Sequence, residues 1–155
     1  MDSTCLLKRL VPSEGVLTRR APDRRERAEI RYGLPVARQI ARMDLGQTIV
    51  VCHGQVVAVE ALEGTDAAIE RAGGLTHGQK LSVIKVSKPD QDMRFDVPVM
   101  GRRTIEVLER ARATVMTVDA GRSLIFEMER VLELADAAGI SLVAVHPEAE
   151  DLPRG

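Results

Sequence analysis

The chain has 155 residues, with 22 Lys and Arg against 23 Asp and Glu and a formal net charge of −1. That length supports one domain with its own core and not two comfortable ones, and the even balance gives no whole-chain field toward nucleic acid or an anionic membrane. Apolar residues make up 45% and aromatics only 2%, so the core is aliphatic and the aromatic platforms that stack single-stranded nucleic acid are missing.

Residues 1–22 hold turn residues and no sustained period, which predicts an extended arm. Their first stretch, MDSTCLLKRLV, lacks the apolar core and cleavage site of a signal peptide, and no run in the chain approaches the length of a membrane span. A cytoplasmic protein is therefore expected, a reading compatible with a lipid substrate at the membrane surface. The arginine-rich RRAPDRRERAEIR reads as a solvated helix face. From Asp23 the pattern is helical, with Ala28, Ile30, Leu34, Ala37, Ile40 and Ala41 on one side; Pro35 should kink that helix or restart it as a second one.

TIVVC, His53-Gly54 and VVAVEAL predict two strands around a tight turn. Thr65 is expected to cap a short helix, DAAIERA, that ends at Gly73-Gly74. LSVIKV is a strand, GRRTIEVLERA a helix, TVMTVDA a strand and RSLIF a further short strand. MERVLELADAAG is an amphipathic helix closed by Gly139, SLVAVH is the last strand, and EAEDLPRG reads as a disordered tail. The expected organisation is an arm over 1–22, one α/β domain over 23–147 and a flexible tail over 148–155. The alternation of strands and helices predicts a single-domain α/β sandwich: a mixed sheet with an antiparallel hairpin and helices packed on it.

Several chemistries lack their signatures. There is no GxxxxGK[ST] and no GxGxxG after a strand, and no nucleophile elbow for Ser/His/Asp catalysis. Cys5 and Cys52 suggest neither a disulfide framework nor a zinc knuckle, and His53, His77 and His146 are too far apart for metal-ligand spacing. Two acidic clusters remain. In EALEGTDA, Glu60 and Glu63 close a strand and Asp66 enters the next helix. In KVSKPDQDMRFDVPVMG, a long polar connection holds Asp90, Asp92 and Asp96.

Hard divalent cations take one or two carboxylates together with phosphate oxygens and water. Lys88, Arg94 and the N–H groups of a helix starting near Gly101 suit phosphates, and Pro89 and Pro98 would stiffen the segment. Bland readings stand beside these. An acid in a first helical turn is explained by the helix dipole, which covers Asp66; Glu60 fits a solvated position equally well; and Asp and Pro are ordinary turn residues whose charges can pair with each other.

Several stretches carry a more specific signal when taken together in order: LLKRLVPSEGVLTRRAPD, MDLGQTIVV, VVAVEALEGTDAAIERAGG, VSKPDQDMRFDVPVMGRRTIEV and VDAGRSLIF. Across nearly the whole chain they resemble the carboxy-terminal domain of the LpxI family, the UDP-2,3-diacylglucosamine pyrophosphatases of lipid A synthesis. The resemblance implies Mg2+-dependent (or Mn2+-dependent) hydrolysis of UDP-2,3-diacylglucosamine, a lipid-linked nucleotide-sugar, to lipid X and UMP. It makes Asp96 the essential carboxylate. Asp96, Asp92 and Arg94 form the expected catalytic set; Asp96, Asp92, Asp66 and Glu63 the metal ligands; and Lys88, Arg94, Gly101 and Thr65 the phosphate contacts.

Family members carry another α/β domain ahead of this one. The resemblance therefore implies a cut-down piece or a natural single-domain relative, with an exposed apolar patch used for a homo-oligomer or a partner domain, and possible peripheral contact with a membrane. It also marks a departure, VDAG in place of VEAG, which puts Asp119 one methylene short of the usual glutamate. The alternative reading is a non-catalytic relative that binds a nucleotide-sugar, a lipid phosphate or a protein partner.

Overall fold

Eight strands and four helices make up the computed structural model, which describes residues 9–90 and 98–152. The strands are β1 (Gly15–Val16), β2 (Thr48–Cys52), β3 (Gln55–Val59), β4 (Leu81–Lys85), β5 (Val99–Met100), β6 (Ala113–Asp119), β7 (Leu124–Ile125) and β8 (Ser141–Val145). The helices are α1 (Arg24–Arg42), α2 (Thr65–Thr76), α3 (Arg102–Ala111) and α4 (Met128–Ala138). Six strands form one mixed sheet in the order β1-β8-β6-β4-β2-β3, while β5 and β7 pair in parallel as a separate ribbon. Strands β4, β6 and β8 are parallel; β2 runs antiparallel to β3 and β4, and β1 runs antiparallel to β8. The expected α/β sandwich with a mixed sheet is present.

The two-residue period of the strands decides which helix covers which face. Ile49, Val51, Ile84, Val86, Val115, Val143 and Val145 pack against Ile30, Leu34, Ala37 and Ala41 of α1. Val50, Leu81, Val83, Met116, Leu142 and Ala144 face the other way, toward the apolar sides of α2, α3 and α4. Among the described residues, the sheet is thus buried on both faces, with α1 the single helix on one of them. The β2–β3 turn has φ of 49° at His53 and 74° at Gly54. Positive φ at both central residues is the geometry that matches the strand twist in a two-residue hairpin.

Three local expectations are corrected. First, Pro35 does not restart α1: one helix runs from Arg24 to Arg42. Ile30 and Leu34 before the proline and Ala37 and Ala41 after it are all held on the sheet, and that burial outweighs the missing N–H. Second, Thr65 is the first residue of α2 and not its cap, a place taken by Gly64 without a side-chain bond. Third, Gly73-Gly74 does not end α2, which continues to Thr76 and stops at His77 in the left-handed region. A Cβ on Gly73 would sit 3.1 Å from the Cα and Cβ of Ala111, so this glycine is what lets α2 approach α3.

The arginine-rich stretch is also less solvated than expected. Asp23 and Glu26 form a reciprocal capping box at the start of α1, and the buried Glu26 carboxylate is held by Arg20 at 2.6 and 3.0 Å. Arg25 reaches Glu29 at 2.8 Å and the Thr114 hydroxyl at 2.7 Å. Within the residues expected as an arm, β1 pairs with β8, and the Leu17 N–H donates to the Leu142 carbonyl at 2.9 Å. Within those expected as a tail, Ala149 and Leu152 pack against the α1 side of the core. Among the described residues, no helix is long and apolar enough to cross a membrane.

Candidate functional site at the carboxyl ends of the strands

Because β3 and β4 are both antiparallel to β2, they point the same way as each other and as β6 and β8. The EGTDA segment leaves β3 and the KPDQDMRFDVP segment follows β4, so both start from one end of the sheet. Asp119 at the end of β6 and His146 after β8 share that end. In open α/β sheets this is the side on which ligands bind.

The centre of this end is a buried ion pair. Arg38 on α1 grips Asp119 with two parallel bonds, Nη1 to Oδ2 at 2.7 Å and Nη2 to Oδ1 at 2.8 Å. Two further donors of Arg38 reach the carbonyls of His146 and Ala149 at 3.1 Å each. Oδ2 of Asp119 also accepts from the N–H and the hydroxyl of Ser87, both at 2.7 Å. Asp119 is wholly buried. It is therefore sealed below the site and tied to other protein groups, at the position the resemblance had marked as one methylene short of the usual glutamate.

A second cluster joins the two acidic segments. The Lys85 amine donates to Thr65 Oγ1 at 3.0 Å, and the Thr65 hydroxyl donates to Glu60 Oε2 at 3.2 Å. The Thr48 hydroxyl lies 3.2 Å from Thr65 Oγ1. Burial pushes the Lys85 amine below its ordinary pKa, and the nearby carboxylates of Glu60 and Asp66 partly pull it back up. Thr65 also lines an open groove of about 410 Å³ with Glu63, Gly64, Asp66, Glu70 and Arg103.

The other expected site residues are distributed as follows. Asp66 faces Arg103 at 3.6 Å. Glu63 is gripped by Arg71 through both carboxylate oxygens, a bond that holds it below the usual carboxylate range. Lys88 pairs with Asp44 at 2.8 Å. Gly101 is the N-cap of α3, with extended backbone and no side-chain cap. Asp92, Arg94 and Asp96 lie outside the described residues, and Asp90 is exposed.

Among the described residues, no three His, Cys, Asp or Glu side chains are grouped to hold a metal ion. Of the two described carboxylates expected as ligands, Asp66 is the better fit, because its contact with Arg103 is longer than a hydrogen bond. Glu63 fits poorly, since an ion would have to displace Arg71 from both of its oxygens. Sequence reading did not single out Lys85, although a lone charge in LSVIKV was a signal. It also missed Arg38 and Ser87, which meet Asp119 from 81 and 32 positions away and leave no local trace.

The match to known proteins spans most of the chain. A family model described as the LpxI C-terminal domain matches residues 13–143. The chain is similar to UDP-2,3-diacylglucosamine pyrophosphatase LpxI of Caulobacter vibrioides, with 39% identity over 141 residues, which is 86% of this chain and 50% of that relative. The chain spans about half the length of the curated relative it matches.

Proposed function

The chain belongs to the LpxI C-terminal domain family, and from that premise we propose that it serves lipid A synthesis by hydrolysing the pyrophosphate of UDP-2,3-diacylglucosamine to 2,3-diacylglucosamine 1-phosphate and UMP. The observation that supports this reading is the convergence of EGTDA and the start of KPDQDMRFDVP at the carboxyl ends of the strands, joined by the Lys85–Thr65 bond. A diphosphate needs cations and directed N–H or O–H donors, and hydrolysis needs a carboxylate to orient water; the two segments together contain all of these.

In this proposal Asp96 is the principal carboxylate, and Asp96, Asp92 and Asp66 would hold Mg2+ or Mn2+. Such an ion, when bound, would polarise the phosphoryl group and lower the pKa of water. Arg94, Lys88, the Thr65 hydroxyl and the N–H groups at Gly101 offset the phosphate charge. Lys85 joins them through its bond to Thr65. The proposed setting is cytoplasmic, at the membrane face that presents the substrate, with exposed Met43, Leu45 and Leu62 as the surface for a second copy or a partner domain.

One observation favours a binding protein without turnover: each described carboxylate expected at the metal already faces an arginine, Glu63 facing Arg71 and Asp66 facing Arg103. Release of UMP from UDP-2,3-diacylglucosamine with Mg2+, measured beside Asp96→Ala, separates the two. Turnover that the variant loses while staying folded supports the hydrolase. Tight binding of the intact substrate by folded wild-type chain without UMP release would replace it with the binding reading.

A further inference from the structure

A buried ion pair adds little to stability on its own, because desolvating the two charges costs about what their attraction returns, and an apolar pair of similar volume often serves as well. Directionality is what an apolar pair cannot supply. The Arg38–Asp119 pair has a consequence of that kind. With its orientation set by the two-pronged grip of Arg38, Asp119 presents Oδ2 to both the peptide N–H and the hydroxyl of Ser87. Ser87 is itself buried and directly precedes Lys88 and Pro89.

The preceding peptide is pinned as well, with the Val86 N–H on the Gln47 carbonyl at 2.8 Å. At the far side of the connection, the Pro98 carbonyl accepts from the Leu124 N–H at 2.8 Å. Arg38 extends the same grip to the backbone after β8, through His146 and Ala149. Four parts of the chain, namely α1 and the exits of β4, β6 and β8, are thereby set relative to one another by one side-chain pair.

From this geometry we propose that Asp119, oriented by Arg38, is a positioning residue that aims the start of the Lys88–Pro98 segment through Ser87, and that turnover depends on it. This rests on the hydrolase reading above, in which that segment carries Asp96. The pair is itself buried and acts only through that segment, which in the same reading supplies the phosphate contacts Lys88 and Arg94 as well as Asp96, so kcat/KM is the quantity it moves.

Three variants test the proposal: Ser87→Ala, which removes one of the two bonds from Ser87 to Oδ2; Asp119→Asn; and the double change Arg38→Met with Asp119→Leu. The last avoids leaving a buried arginine unpaired should Asp119→Asn fail to fold. UMP release and amide exchange at Ser87, Lys88 and Asp90 are measured on the folded variants. A loss of kcat/KM of about tenfold for Ser87→Ala and about 100-fold for the double variant is expected for a misplaced but otherwise intact site. Exchange at the three amides should accelerate while that of β6 stays as in wild type. Wild-type kcat/KM in the folded double variant, or unchanged exchange at Ser87, overturns the proposal. A wild-type chain that releases no UMP removes the hydrolase reading alone; exchange at the three amides then decides whether Asp119 sets the segment.

Discussion

The Lys85 amine at the end of β4 and the Thr65 hydroxyl at the start of α2 are 3.0 Å apart, so one hydrogen bond ties the two acidic segments of the chain together. Burial disfavours the charged amine, and its pKa in the folded protein lies below the ordinary 10.5. As the pH rises from the folded pKa toward 10.5, the unfolded chain binds more protons than the native one, so the stability contributed by this group increases through that window. Lys85→Met should remove this rise in denaturant unfolding while lowering UMP release. A variant with the wild-type pH dependence would show that the amine is not desolvated.

Asp23 gives the opposite pH behaviour. It accepts the Glu26 N–H at 2.8 Å, which holds its carboxyl below the ordinary 3.8. The stabilisation is complete above 3.8 and is lost as the pH falls through the lowered folded value. Asp23→Ala should cost about 1 kcal/mol at neutral pH, as for other N-cap losses. The gap between wild type and variant should close in acid, which urea unfolding on both sides of the transition would detect.

Gly73 and Gly74 are neighbours in α2 with different surroundings. A Cβ on Gly74 meets nothing within 4 Å, whereas one on Gly73 meets Ala111 at 3.1 Å. Gly74→Ala should therefore stabilise by roughly 0.5–1 kcal/mol through helix propensity alone. Gly73→Ala should gain less or nothing, and Gly73→Leu should destabilise by about 1–3 kcal/mol through overpacking. Thermal or chemical melts of the three variants check the order, and equal gains at both alanines would mean that the α2–α3 contact is loose.

Pro35 lies inside a helix that runs on both sides of it. Pro35→Ala restores the missing donor and removes the propensity penalty, so it should stabilise by about 1 kcal/mol or more, within the limit of about 3 kcal/mol for proline against alanine. The helical content from circular dichroism should stay nearly constant, because α1 is already continuous. A marked gain in helix would mean that α1 is broken at the proline in solution.

Periodicity was enough for most of the architecture. The strands LSVIKV and SLVAVH, the His53-Gly54 turn and the helix closed by Gly139 all follow from spacings within a few residues, and each is found where the pattern puts it. EGTDA and KPDQDMRFDVP were equally legible as a candidate site, because carboxylates, cations and prolines in a long connection are a local signal. Gly73-Gly74 was misread for a related reason. A glycine pair looks the same whether it ends a helix or admits a neighbouring one, and only the packing of Ala111 against it distinguishes them.

Composition and spacing by themselves thus determined most of the elements, the mixed sheet and the candidate segments for chemistry, because those depend on short-range backbone preferences and on which side chains avoid water. The tertiary structure decided what each charge does. Glu26 meets Arg20 in the interior, Lys85 loses water beside Thr65, and Asp119 is an anchor for Ser87. Electrostatic free energy depends on the partner and on the surrounding medium, and partners such as Arg38 and Asp119, 81 positions apart, meet only once the sheet and α1 have been packed together.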